Sequence, residues 1–201
     1  MVEFDTEEQK QEMPELLVQP EDECPDVLEL NDDFEDEQGL IYEVDPVFKV
    51  ATVKDIDPYL PFPRKFIAIP EKVEKDGKLY TVDTLGEYAL GAGLFIILPD
   101  TIKEIGRGAL QQSWFVVLGE NVEKIDEQAF WQANPKIKIR GENPYYKIVD
   151  GVLFDSDMTQ LIKCINYPGT EYTVPVTVQN IWDSAFYRND TLEKITIYNK
   201  D

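Results

Sequence analysis

The sequence contains no histidine and only two cysteines. The lack of histidine excludes Ser-His-Asp and Cys-His nucleophilic machinery, together with most transition-metal sites. Cys24 lies in an acidic segment and Cys164 in the apolar run LIKCI, so the two are poor candidates for a disulfide framework. We therefore expect free thiols, no catalytic residues, no bound metal and no cofactor.

Long apolar runs and basic patches are also lacking. No stretch approaches the roughly 18 apolar residues that a membrane span needs. No basic patch is interleaved with aromatic residues, which disfavours nucleic-acid binding through phosphates. The N-terminus, MVEFDTEEQKQEM, is acidic where a secretory signal is basic and then apolar. Either the protein stays inside the cell, or a signal has been removed.

Positive charge is scarce at the start of the chain. Residues 1–38 hold 16 Asp and Glu against one lysine, whereas the other 163 residues carry 24 acidic and 18 basic side chains. Ordering so acidic a segment costs about 1–2 kcal/mol per residue with little burial in return. We therefore predict a disordered acidic tail at 1–38. Some of its apolar residues could dock on a partner or back on the body: Leu16, Leu17, Val18, Val27, Leu28, Leu30 and Phe34.

The rest of the chain repeats one short phrase. Four segments, 69–93, 98–113, 118–133 and 174–189, share an order of residue types in which an alanine precedes a large apolar residue. The alanines are 20, 20 and 56 residues apart: Ala89, Ala109, Ala129 and Ala185. A period near 20 residues is typical of a solenoid, because so short a coil cannot bury its own apolar face. We expect these alanines to form a single inner column.

Each unit is predicted to combine a short strand with a short helical turn, which gives a β-rich α/β solenoid. Strands are expected at 66–69, 95–98, 115–118 and 171–174, each ending near a proline or glycine. Asp126 and Asp183 are expected to cap the helical turns of the third and fourth units. Phe130 is expected to fill the interior between coils.

The 56-residue gap between the last two alanines contains an insertion. Asp150-Gly151 lies between IV and VLF, which is a strong signal for a two-residue hairpin turn. A second strand pair through DSDMT predicts an inserted β-meander between the third and fourth repeats. Asp155 and Asp157 suit a polar turn rather than a calcium loop, because further ligands at the required spacing are lacking.

Three groups of motifs carry a family resemblance. They are the order IP…V…IG…AF at 99–110, 119–130 and 175–186, the element NPYYKIVDGVLF at 143–154, and the opening GLIYEVDPVFKVATV with GKLYTVDTLGEYAL at 39–53 and 77–90. Together they resemble the BspA-type leucine-rich repeat family over residues 39–201. The middle repeats are shorter than is usual in that family. The position where it often has cysteine holds Gly93, Ser113, Ala133 and Asn189.

The resemblance implies a leucine-rich-repeat solenoid of right-handed coils. Its parts would be an N-terminal β cap at 39–66, repeats near 67–94, 95–114, 115–134 and 171–198, and the hairpin insertion at 141–170. The resemblance also implies a secreted or cell-surface protein that acts in adhesion and protein binding, although the acidic N-terminus leaves a cytoplasmic location open.

Function must be sought in surface chemistry, since a solenoid does not dictate one. Alternation along the strands places Ala68, Ile97, Val117, Lys138 and Thr196 on the outward face. Exposed apolar residues there, with nearby aromatics, would mark an interaction site. The candidate binding residues are Phe95, Ile97, Trp114, Val117, Trp131 and Lys138. Alternatively, these large side chains belong to the core or are covered by the N-terminal segment.

Three functions from different classes follow. The first is a non-enzymatic, monomeric module that binds a protein or glycan through the sheet face, in adhesion or another partner interaction. The second is a scaffold or inhibitor whose acidic tail masks a basic partner. The third is a carboxylate-based glycosidase, which needs two acidic groups about 5–10 Å apart in a cleft. No sequence motif identifies such a pair.

Overall fold

The computed structural model describes residues 26–57, 66–90, 95–111, 113–165 and 167–198. Cys24, Gly93 and the predicted docking residues Leu16, Leu17 and Val18 lie outside the described residues. The strands are β1 (Val27–Glu29), β2 (Leu40–Asp45), β3 (Val50–Ile56), β4 (Phe66–Ala68), β5 (Lys72–Lys75), β6 (Lys78–Leu85), β7 (Phe95–Ile97), β8 (Glu104–Ile105), β9 (Phe115–Leu118), β10 (Lys124–Ile125), β11 (Lys136–Ile139), β12 (Tyr146–Val149), β13 (Val152–Asp155), β14 (Gln160–Cys164), β15 (Glu171–Thr173), β16 (Asn180–Ile181) and β17 (Lys194–Thr196).

Two parallel ladders run along the repeats. Strands β4, β7, β9 and β11 form one four-stranded sheet, and β6, β8 and β10 pair in the same order in a second sheet. The inward positions of the first ladder are in register and buried: Ile67, Ile96, Val116 and Ile137. Those of the second are also in register and buried: Leu85, Ile105 and Ile125. Equivalent residues of the middle coils are 20 positions apart, so the predicted stacking of coils is confirmed.

The predicted helical turns are not found, since no helix occurs among the residues that the structure describes. Each coil instead bends through tight turns, in which the Ala129 N–H donates to the Asp126 carbonyl at 2.9 Å. In the second coil, the amides on either side of Ala109 bond to the third coil. Gly108 N–H donates to Gln128 O at 3.1 Å, and Leu110 N–H donates to Ala129 O at 3.0 Å. Because these amides find partners across the stack, the turns need no continuing helix to satisfy them.

Only one of the two predicted caps is present. The Asp126 carboxylate accepts a hydrogen bond from Gln128 N–H at 2.9 Å and so fixes the third turn. The cap role of Asp183 is wrong, because the register of the fourth turn places Trp182 where the third has Asp126. Within the described residues, the Asp183 carboxylate accepts no backbone hydrogen bond.

The alanine column has three members rather than four. Ala89, Ala109 and Ala129 are fully buried in the main core. Ala185 is buried in a separate cluster, with residues of the insertion. The insertion strand β14 lies beside the fourth turn, where Cys164 N–H donates to Ala185 O at 2.8 Å. The expectation of a single column is therefore wrong for the last repeat.

The inserted meander is present as predicted. Strands β12, β13 and β14 pair antiparallel in sequence order, and β14 continues into parallel pairing with β16. Asp150 and Gly151 both have positive φ, at 50° and 76°, which suits a two-residue hairpin turn. The Asp155 carboxylate accepts from Gln160 N–H at 2.8 Å, as a polar turn requires.

The end of the acidic segment is packed on the β cap. Strand β1 pairs parallel to β5, and Leu30 N–H donates to Glu74 O at 2.8 Å. Leu30 is buried in the main core, and Phe34 packs against it. The structure therefore differs from a disordered tail over residues 26–38. Of the alternatives for its apolar residues, Leu30 and Phe34 dock on the body, because their burial offsets the ordering cost.

Asp36 anchors the same segment. Its carboxylate is buried and accepts from Leu40 N–H at 3.0 Å, Gln38 N–H at 2.8 Å and the Tyr42 hydroxyl at 2.7 Å. Burial raises the pKa of Asp36 above its ordinary value, although these hydrogen bonds oppose that rise. One acidic residue of the segment thus contributes to the folded core.

Candidate functional site

Aromatic residues cluster where strands β4, β7 and β9 begin. The Phe95 ring stacks on Phe115 with centroids 6.1 Å apart, and it meets Trp114 edge-on at 6.2 Å. Phe66 and Phe115 are the register partners of Phe95 on either side. Trp114 is 46% exposed. We call Phe66, Phe95, Trp114 and Phe115 the aromatic edge.

The outward sheet face beyond the aromatic edge is buried rather than exposed to solvent. Ile97 is only 1% exposed and Val117 only 6%, so the expectation that both are exposed is wrong. They pack with Ala68 and Phe115 in a small cluster separate from the main core. Neighbouring parallel strands hold Ala68, Ile97 and Val117 in register. Lys138 is exposed at the next register position after Val117.

Trp131 does not join the aromatic edge. In the part of the chain that the structure describes, its ring makes no contact with Phe95 or Trp114. It follows the third turn instead and is 46% exposed at the wall of a cleft. The structure thus brings Phe95 and Trp114 together and places Trp131 at a second site.

The cleft lies between the third and fourth turns and has a volume of about 350 Å³. Glu127 and Trp131 line one side, and Trp182 and Asp183 line the other. Trp182 is mostly buried, and its indole N–H donates to Gln160 Oε1 at 2.8 Å. This hydrogen bond fixes one aromatic wall of the cleft.

Lys163 contributes to the floor of the cleft and is 1% exposed. Its ammonium donates to Ser184 O at 2.6 Å and lies 5.8 Å from the centre of the Tyr187 ring. Among the described residues, no carboxylate forms an ion pair with it. Burial lowers the pKa of Lys163 to about 8.

Sequence reasoning missed the cleft. Trp182 was not among the predicted site residues, and neither was Lys163. The available signal was the single lysine within the apolar run LIKCI, since a charged residue in a buried strand is rare. Which surface that lysine faces depends on how β14 meets the fourth turn.

The described residues define a β-rich repeat protein with a β cap and an inserted hairpin sheet. Its strands stack in register coil upon coil, and its exposed tryptophans lie at the aromatic edge and at the cleft. Within the described residues, no helix has the length and apolar character to cross a membrane.

Comparison with known proteins gives structural neighbours. No protein-family model matches the sequence, and no curated protein is significantly similar to it. The chain is similar to solved leucine-rich repeat proteins, as its motifs predict. One, from Eubacterium ventriosum, is 26% identical over 58% of this chain and 33% of its own, with a TM-score of 0.48.

Two further neighbours are less similar in sequence. A leucine-rich repeat protein from Bacteroides capillosus is 20% identical over 81% of this chain and 96% of its own, with a TM-score of 0.39. A leucine-rich cell surface protein from Faecalibacterium prausnitzii is 13% identical over 80% of this chain and 75% of its own, with a TM-score of 0.32. The chain spans a third of the length of the Eubacterium protein.

Proposed function

We propose that this protein is a non-enzymatic binding module that engages a protein or glycan partner in adhesion. The observation that supports the proposal is the aromatic edge, where a half-exposed Trp114 stands edge-on against Phe95 on a parallel sheet. A ring already held in place loses little conformational freedom on binding, so its burial contributes to affinity. Tryptophan is also among the residues that most often dominate binding energy.

The test uses a panel of purified matrix proteins and a glycan array, probed with the full chain. We expect at least one component to bind, and Trp114→Ala to weaken that binding tenfold or more, since tenfold corresponds to about 1.4 kcal/mol. Tyr145→Ala is the matched control, because Tyr145 is 43% exposed and lies outside the aromatic edge. Equal affinities for the two variants, or no binding by wild type, would contradict the proposal.

A further inference from the structure

We infer that the cleft between the third and fourth turns binds a neutral saccharide. The inference goes beyond the proposed function, because it concerns a surface separate from the aromatic edge. Three observations carry it: where the cleft comes from, what its walls are made of, and how its charges are arranged.

The cleft arises where the regular stacking of turns is interrupted. The second and third turns are joined by backbone hydrogen bonds from Gly108 to Gln128 and from Leu110 to Ala129. The fourth turn bonds instead to strand β14, through Cys164 and Ala185. The third and fourth turns therefore lack the backbone bonds that join the second and third turns. A side-chain bond links them instead, since Asn134 Nδ2 donates to Arg188 O at 2.7 Å. A recess built into the fold in this way is present before any ligand arrives.

The walls of the cleft are aromatic on both sides. Trp131 presents a half-exposed indole from the third turn, and Trp182 presents a ring fixed by its bond to Gln160. The C–H faces of a pyranose ring are apolar and pack against indole faces through dispersion contacts. The half-exposed Trp131 offers the surface for such a contact, and the mostly buried Trp182 lines the opposite side of the cleft.

The polar groups of the cleft have both signs. Glu127 and Asp183 are exposed carboxylates, whereas the buried Lys163 supplies N–H donors at the floor. An anionic ligand would be repelled by the two exposed carboxylates. A neutral ligand with many hydroxyl groups can donate hydrogen bonds to them, while the Lys163 ammonium keeps its own bond to Ser184 O. The volume of about 350 Å³ is near the lower end of ligand pockets, about 300–1,000 Å³, so a short saccharide fits.

The experiment titrates the full chain with the methyl glycosides of glucose, galactose, mannose and N-acetylglucosamine and with their short oligomers. Calorimetry and ligand-observed NMR measure the affinity. We expect at least one of these neutral sugars to bind and Trp131→Ala to weaken that binding at least tenfold. Tyr145→Ala is the control, because Tyr145 is 43% exposed and lines neither the cleft nor the aromatic edge.

Two further variants separate a lost site from a lost fold. Trp131→Phe keeps an aromatic wall and should retain most of the affinity. Glu127→Gln removes a charge from an exposed side chain and should weaken binding severalfold without lowering the melting temperature. Equal loss in Trp131→Ala and Tyr145→Ala would overturn the inference. So would a failure of every neutral sugar to bind, or tighter binding of choline or glucuronate than of any neutral sugar.

Failure of the inference is distinguishable from failure of the proposed function. If partner binding depends on Trp114 but no sugar binds, the cleft inference fails alone. If a neutral sugar binds through Trp131 and is also hydrolysed, the cleft inference holds and the non-enzymatic function fails. Glu127 and Asp183 would then be the first carboxylates to replace.

Discussion

At the scale of single residues, Lys163 shows how burial lowers the pKa of a side chain. The side chain is almost fully buried in β14, and its pKa falls to about 8. In the unfolded chain a lysine has a pKa of about 10.4. Between these values the unfolded state binds more protons, so Lys163 makes the folded state more stable as the pH rises.

This difference can be measured by comparing wild type with Lys163→Met. From pH 7 to pH 9.5, the free energy of unfolding of wild type should rise relative to that of the variant by about 2 kcal/mol. Burial also raises the pKa of the Cys164 thiol and the Lys163 ammonium lowers it, so both proteins carry Cys164→Ala to remove this contribution. Urea unfolding at several pH values gives the comparison. A constant difference would show that Lys163 keeps its ordinary pKa in the folded protein.

Single residues also show what sequence reasoning can reach. Asp150-Gly151 predicts its hairpin turn correctly, because positive φ is a local requirement that few residues meet. The exposure of Ile97 and Val117 could not be predicted in the same way. Alternation along a strand identifies which face a side chain lies on, but the packing of neighbouring strands decides whether that face meets water.

At the scale of elements, the turn of each coil carries a large residue whose burial differs between repeats. Phe130 is buried in the main core, whereas its counterpart Phe186 is only partly buried, against the second cluster. Phe130→Ala should lower the free energy of unfolding by about 3–5 kcal/mol, because it leaves a cavity. Phe186→Ala should cost clearly less, since part of its ring already meets solvent.

Urea unfolding of both variants checks this order. An equal loss of unfolding free energy in the two variants would mean that the third and fourth turns are packed equally well. It would contradict the placement of Phe130 in the main core and of Phe186 at the edge of the second cluster. An unchanged stability in Phe130→Ala would contradict the placement of its ring in the core.

The turns are also the elements that sequence reasoning described least well. The small-then-large pattern correctly locates the bend after each second-ladder strand, but it does not distinguish a helical turn from a tight turn. The neighbouring coil decides that choice, because its carbonyls accept from amides such as Gly108 N–H and Leu110 N–H. A local pattern carries no information on partners that are 20 residues away.

At the scale of the whole molecule, the acidic segment divides into two parts. Deleting residues 1–25 keeps β1, Leu30 and Asp36 in the chain. Deleting residues 1–38 removes β1, Leu30 and Asp36 from the cap. The loss of Leu30 alone corresponds to about 2–5 kcal/mol. The longer deletion should therefore be markedly less stable.

Thermal and urea unfolding of both truncations give the result. Equal stabilities would contradict the role of residues 26–38 in the cap. The shorter truncation also tests whether the acidic segment masks a basic partner, since it removes nine acidic residues and keeps β1, Leu30 and Asp36. Loss of binding to such a partner would favour the tail as the active element.

The sequence by itself determined the repeat period, the strands of the first ladder at 66–69, 95–98 and 115–118, and the inserted hairpin sheet. Each of these follows from local patterning, because a short coil must bury its apolar side on a neighbour of the same shape. Only the tertiary structure decided that residues 26–38 join the cap, that Ile97 and Val117 are closed off, and that Trp131, Trp182 and Lys163 share one cleft. Those outcomes depend on contacts between residues far apart in the chain, which a local sequence pattern does not specify.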